Sequence, residues 1–450
     1  MEFLTGFEST YMPLHDVDVL RTTRHDERWY DDLRLARDAG IRRLRYPIPW
    51  HRVERRRGRY DWGWVDEVLA GMRELGLAPI ADPIHHTSFP RWLRDGFLNP
   101  DFPAAYCDFC AAFAERYPWV REFTVFNEPL ATAQLCTEQG AWYPARRDAQ
   151  AFFRMCANMA RGICEATAAI ARAQPEARFI HVDTAEHHSA LDQESEEFAW
   201  FVNHRRFLPL DLALGRVDEA HPLYGRLRGY AGVGEADLAW LREHPARIDV
   251  LGLDYYPHCE YQFHRSGPTC PSRAPLGFAA IAREYQARFG LPIMLTETNI
   301  RGYVSDRITW LKYMVEQCEQ LVADGLPFEG FCWFPFVDST DWDSLLNAPA
   351  GHIDPVGIYW LEEGTLARRA SELSALYAGL ARGELRGADL PAYRLLTPMS
   401  EHLAGYRDQW AAWEWRQPDA RHLPAWALPE VTGETEYAYV GRRLPGGATG

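Results

Sequence analysis

Lysine is almost missing from this chain. Lys312 is the single example among 48 basic residues, so nearly all the positive charge is arginine. We read that as a compositional bias rather than a phosphate-binding device. Positive charge is also the minority sign: 63 acidic residues give a net charge of -15, which argues against nucleic acid as a partner. No run approaches the roughly 18 uninterrupted apolar residues that a membrane-spanning helix needs, so no membrane partner is expected. The opening residues Met1 to Gly6 carry neither a basic stretch nor a long apolar one, so no signal peptide is expected. The nine cysteines are scattered and odd in number, which fits reduced thiols in a cytoplasmic protein better than a disulfide framework. There is no repeat of solenoid period, and no low-complexity linker before about residue 385.

What is present is alternation. Short apolar runs read as buried strands at Glu2–Phe7, Ile41–Tyr46, Leu77–Asp82, Glu122–Asn127, Arg178–Asp183, Asp249–Tyr255, Pro292–Glu297 and Gly330–Pro335. Amphipathic stretches stand between them: Trp29–Ala39, Trp64–Leu75, Phe102–Arg116, Gln150–Ala173, Phe278–Phe289 and Ile308–Ala323. Gly40, Gly76, Gly290 and Gly325 follow as helix stops. Eight strand-then-helix units in 450 residues predict an α/β fold, a (β/α)8 TIM barrel. Residues 185–245 exceed a simple crossover and predict extra helices over the barrel mouth. The polar segment His258–Pro275 reads as an irregular rim loop. A helix at Ala370–Leu380 would close the barrel, making residues 1–382 the catalytic unit. Residues 383–450, with Trp410, Trp413, Trp415 and Trp426, form an extension expected to pack on it.

Two of the strands end abruptly in a carboxylate, Glu128 after Thr124-Val125-Phe126-Asn127 and Glu297 after Leu295-Thr296. A glutamate closing a buried strand is costly to bury without a task. Each alone could be a strand-end ion pair with an arginine. Together, on the fourth and seventh strands of a barrel, they point to a paired-carboxylate site at its carboxyl-terminal mouth. Such pairs cleave glycosidic bonds, and at about 5–5.5 Å apart one attacks directly and configuration is retained. Glu128 is the expected acid/base, because Asn127 before it can hydrogen-bond a sugar hydroxyl beside the reacting carbon. Glu297 is the expected nucleophile.

Thr124–Pro129 resembles the T-F-N-E-P motif of glycoside hydrolase family 1. Leu295–Asn299 resembles that family's T-E-N-G, with Thr298 inserted before Asn299. Arg45–Trp50 is similar to its second-strand R-F-S-x-S-W, and Ala78–Leu93 to its third-strand segment with a sugar-binding histidine. Leu251–Tyr256 is similar to G-x-N-Y-Y, Trp333–Trp342 to the eighth-strand W-S-L-x-D-N-F-E-W, and Gly357-Ile358-Tyr359 to G-L-Y. The resemblance spans roughly residues 1–380 and implies a retaining β-glycosidase that needs no metal or cofactor, acting on a small-molecule or oligosaccharide β-glycoside in carbohydrate metabolism. It implies that Arg45 lies beside the nucleophile, as a cation that favours the charged carboxylate. Tyr256 would bind and orient Glu297 from the substrate side. His85 and Asn127 would hold sugar hydroxyls, His86 competing with His85. Trp333 would be the ring platform (core packing is its other reading), and Asp341 and Trp342 would stand at the distal side of the sugar.

The departures fall on recognition. Asp341 stands where the family has a glutamate, with the spacing one residue longer. Gly6–Met12 replaces Q-x-E-G, and Asp254 replaces an asparagine. Ordinary glucoside specificity is therefore open. So are a carbohydrate-binding barrel without turnover and a transglycosidase. Cys107 and Cys110 form a CxxC inside a helical pattern without a second pair. His181, Asp183, His187 and His188 could ligate a metal, though strand-end polar residues more often bind substrate or one another. Trp413 and Trp415 could stack on sugar, though burial is the more frequent use.

Overall fold

The computed structural model describes residues 1–393 apart from 231, 266, 270, 271, 273 and 274, together with a short strand pair, Ala438–Tyr439 and Arg442–Arg443. Eight strands form the frame: β1 (Glu2–Gly6), β2 (Arg43–Pro47), β3 (Ala78–Asp82), β4 (Glu122–Asn127), β5 (Arg178–Thr184), β6 (Val250–Asp254), β7 (Ile293–Glu297) and β8 (Phe328–Trp333). They pair in parallel around a closed barrel, in the order β1-β8-β7-β6-β5-β4-β3-β2. These are the eight strands expected. The chain is a (β/α)8 barrel.

Side-chain alternation explains the closure. Leu4, Ile80, Ile180, Val182, Val250, Met294, Cys332 and Phe334 form one buried cluster. A second, larger cluster joins residues of the strands, such as Phe123, Phe179 and Phe331, to the surrounding helices. Each fully buried aliphatic or aromatic side chain contributes about 1.5–3 kcal/mol. Two glycines set how close the strands approach. A Cβ on Gly6 would lie 2.7 Å from the Phe334 ring and 3.0 Å from the Arg45 Cβ. A Cβ on Gly252 would lie 2.7 Å from the Thr296 side chain.

The helices follow the expected stretches: His25–Asp38, Gly63–Glu74, Phe102–Arg116, Ala149–Ala173, Phe278–Phe289, Val304–Ala323 and the closing Glu372–Ala381. The Asp148 carboxylate caps the long Ala149–Ala173 helix by accepting the Gln150 amide at 2.8 Å. Cys107 and Cys110 lie in the Phe102–Arg116 helix, and no disulfide joins the eight described cysteines. Among the described residues, no helix is long and apolar enough to cross a membrane.

The long β5–β6 connection holds four helices, Glu196–Arg205, Leu208–Ala213, Tyr224–Tyr230 and Glu235–Glu243. The segment after β6 corrects the expectation of an irregular loop at His258–Pro275. It contains the strands Glu260–His264 and Gly267–Thr269, which join His187–Ala190 in a three-stranded sheet. Two of the polar residues that read as loop, Glu260 and Gln262, are buried. Glu260 is fully buried and accepts the Tyr255 hydroxyl at 2.6 Å and the amides of Leu276 and Gly277 at 2.6 and 2.9 Å. Alternating Tyr261 and Phe263 supply the strand tendency.

The extension begins on the barrel. Lys312 donates to the Gly387 carbonyl at 2.8 Å, and the Tyr393 amide donates to Thr309 Oγ1 at 2.8 Å. Leu390 and Ala392 are buried there. Trp410, Trp413, Trp415 and Trp426, expected to pack further along, lie outside the described residues.

Candidate active site

Groups at the carboxyl ends of β3, β4 and β7 converge on one arginine of β2. Arg45 on β2 is 1% exposed, yet it carries a full charge into the barrel mouth. Its Nη1 donates to Glu297 Oε1 at 2.6 Å and to the Thr296 carbonyl at 3.3 Å. Its Nη2 donates to Asn127 Oδ1 at 2.6 Å and to Asp82 Oδ2 at 3.2 Å. Burial works against the guanidinium charge, but Glu297, Asp82 and Asp254 outweigh it and hold the proton on. The other oxygen of Glu297, Oε2, accepts the Tyr256 hydroxyl at 2.6 Å. Glu297 thus has both oxygens committed to fixed donors, which sets its orientation.

Glu128 is built differently. Its backbone is left-handed, at φ 45° and ψ 64°, between the end of β4 and a short helix, Pro129–Ala133. For a residue with a Cβ this costs about 1–2 kcal/mol. The turn is held by the Glu128 amide on the Val182 carbonyl at 3.0 Å and by the Thr132 amide on the Glu128 carbonyl at 2.9 Å. The Leu130 amide donates to both oxygens of the Asp183 carboxylate at 3.2 Å. The side chain gains no such support. Glu128 Oε1 is buried without a hydrogen-bond partner, and Oε2 lies 3.6 Å from His86 Nε2. Burial, then the charges of Glu297, Asp254 and Asp183, push its carboxyl well above the usual range. Glu128 therefore holds a proton where an exposed glutamate would not. One oxygen each of Glu128, Glu297 and Asp254 lie within 4.8 Å of one another.

The wall beside them is ionic. His85 Nδ1 lies 2.9 Å from Asp82 Oδ2, and its Nε2 lies 3.4 Å from Glu8 Oε1, an ion-pair distance rather than a tight hydrogen bond. Burial opposes the imidazolium, but Glu8 and Asp82 raise the His85 pKa to about 10. Burial likewise opposes the Glu8 carboxylate, but His85 brings it down to about 2. His86 shows the opposite sign. Burial, then the charge of His85, hold it well below its usual range, so it is neutral. Its Nδ1 shares a hydrogen bond with Thr132 Oγ1 at 3.1 Å, and its ring packs 5.0 Å from Trp142 and 5.7 Å from Trp342.

Glu128, Glu297, Asn127, Arg45, Tyr256 and His85 therefore share one site, and Trp342 reaches it through His86. Two expected recognition residues do not face it. Trp333, read as a platform, is fully buried, and its Nε1 donates to the Val356 carbonyl at 2.8 Å. Phe334, one residue on, stacks on His85 at 5.4 Å instead. Asp341 is fully buried and spends both oxygens on the Ala350, Gly351 and His352 amides at 2.9–3.1 Å. His181 and Asp183 lie 3.8 Å apart on β5, while His188 pairs with Glu186 at 2.9 Å, so the four do not form one metal cluster. Sequence reasoning gave no role to Glu8, Asp82 or Trp142. Glu8 and Asp82 had a signal, since both stand at or just past strand ends; Trp142 lies in a connection and had none.

Residues 16–274, more than half of the chain, match the model of glycosyl hydrolase family 1. Beta-glucosidase A of Thermotoga maritima is 21% identical over 394 residues, spanning 80% of this chain and 86% of that protein. A bifunctional beta-D-glucosidase/beta-D-fucosidase of Bifidobacterium breve is 22% identical over 371 residues, spanning 70% and 79%. A solved structure of the Thermotoga maritima beta-glucosidase in complex with deoxynojirimycin aligns with a TM-score of 0.70 at 19% identity, covering 80% of this chain and 87% of that one. That structural likeness speaks to the barrel alone. With the family match, the strand-end glutamates and the closed barrel agreeing, the chain belongs to glycosyl hydrolase family 1.

Proposed function

We propose that this chain is a retaining β-glycosidase with Glu297 as nucleophile and Glu128 as acid/base. The observation that carries the reading is the approach of the two carboxyl groups to within 4.8 Å, oxygen to oxygen. So close an approach supports direct attack over the wider carboxyl separation, about 6.5–9.5 Å, of an inverting enzyme. Glu297 attacks the anomeric carbon as the glycosidic C–O bond breaks, and the Glu128 proton passes to the leaving oxygen. Glu128, now a carboxylate, takes a proton from water. The water oxygen forms the new bond to the anomeric carbon, and Glu297 leaves. Arg45 and Tyr256 keep Glu297 aimed through both steps. The high affinity of Glu128 for its proton supports the first step, and the loss of the neighbouring charge in the glycosyl-enzyme supports the second.

The relatives' names motivate a β-glucoside or β-fucoside as substrate. Asn127, Trp342, and His85 with Glu8 are the recognition groups we assign. We take residues 1–382 as the catalytic unit and the cytoplasm as its compartment. The test is incubation with a fluorinated mechanism-based β-glycoside and peptide mapping. A label on Glu297 is expected; a label elsewhere, or none alongside active turnover, overturns the assignment.

A further inference from the structure

Strand β6 ends on Asp254, which has no exposed surface and lies in register with Glu297. Its Oδ1 accepts the Thr296 hydroxyl at 2.6 Å, in the space that Gly252 leaves open. Its Oδ2 is buried with no hydrogen-bond partner. One oxygen of Asp254 lies within 4.8 Å of oxygens of both Glu128 and Glu297. These three carboxyls share Arg45 with a fourth, Asp82, and like charges this close in a dry site cannot all ionise together. Arg45 and Tyr256 bind Glu297, so the shortage of positive charge falls on Glu128 and Asp254.

We propose that Asp254 is a positioning residue for the catalytic proton: it competes with Glu128 for that proton and, once ionised, holds it on Glu128 to higher pH than a two-carboxyl site could. This rests on the reading of Glu128 as the acid. The groups around Asp254 come from every side of the barrel. Arg45 faces it from β2, His85 from beyond β3, Glu128 from beyond β4 and Asp183 from β5. Tyr256 follows on its own strand's exit, Glu297 and Thr296 flank it on β7, and Cys332 faces it from β8. Burial first, then the charge of Glu297, raise the Asp254 carboxyl well above its usual range, against Arg45, Thr296 and His85. The coupled pair titrates as a unit, so neither proton belongs wholly to one side chain.

The experiment has two arms on the full chain. The first is the pH profile of kcat/KM for an aryl β-glycoside, wild type against Asp254→Asn. The alkaline limb is expected to fall by at least about half a unit, the effect of one charge at ~5 Å even with water-like screening. A purely structural role would lower the plateau and leave the limb in place, and that outcome overturns the proposal. The second arm needs neither turnover nor the Asp254 variant to fold. Infrared difference titration follows the carbonyl stretch of protonated carboxyls in wild type and in Glu128→Gln. In wild type the pair is expected to release its protons in two well-separated steps, and Glu128→Gln is expected to keep only the lower one; a single step in wild type, or an upper step that persists in the variant, overturns the proposal. A wild type without turnover on any β-glycoside defeats the proposed function, while the infrared arm still decides whether the proton is shared.

Discussion

Glu297 and Glu128 are the same residue type, both nearly buried, one oxygen of each within 4.8 Å of the other, and their surroundings are opposite. Glu297 has an arginine on one oxygen and a phenol on the other. Glu128 has one orphaned oxygen and a neutral histidine beyond bonding distance of the other. The difference teaches that role is assigned by environment rather than by residue type. A carboxyl given fixed donors can attack in one direction. A carboxyl denied them, and crowded by negative charge, keeps a proton to give away.

Removing either side of this comparison should produce different failures. If Glu297 is the nucleophile proposed, Glu297→Gln is expected to lower kcat on an aryl β-glycoside by about four orders of magnitude or more. Glu128→Gln should cost about 10²–10⁴-fold on a poor leaving group and much less when the first step needs no proton. If the two variants show the same dependence on leaving-group acidity, the assignment of roles is wrong. Arg45→Met takes the cation from the Glu297 and Asp82 carboxylates, and denaturant unfolding should register a loss of about 3–5 kcal/mol. A variant as stable as wild type would mean that the carboxyls are already neutral.

The Glu8–His85 pair offers a pH test. Glu8 falls from its ordinary 4.5 to about 2, so its contribution is present above 4.5 and is lost as pH drops toward 2. His85 rises from 6.5 to about 10, so its contribution is complete below 6.5 and is lost as pH climbs toward 10. Tm should therefore decline across the interval from 6.5 to 10, and His85→Gln should lack that decline. A variant that follows the wild-type slope refutes the ion pair. The smallest effect is expected of Tyr256→Phe, about 10-fold in kcat for one charge-assisted hydrogen bond. A loss approaching that of Glu297→Gln would make the phenol a participant rather than an aligner.

The barrel was legible because its strands are short apolar runs and its helices are periodic, and each signal is local. Both glutamates were legible for a related reason: a carboxylate closing an apolar run is conspicuous. Arg45 and Tyr256 could be placed only by resemblance, since nothing in their own stretches says what they face. Trp333 and Asp341 show the limit. Neither stretch says which way its side chain turns: Trp333 donates to the Val356 carbonyl and Asp341 accepts amides of its own loop. The strands at Glu260–His264 and Gly267–Thr269 were hidden because Glu260 is polar by composition and buried by partnership. Local hydrophobicity cannot anticipate a carboxylate whose donors come from elsewhere in the chain.

The left-handed backbone at Glu128 has a consequence for how such a protein drifts. Glycine or asparagine would occupy that turn more comfortably than glutamate does. If Glu128 has the role proposed, a population selected for heat resistance alone would slide toward those residues, gaining robustness while falling silent.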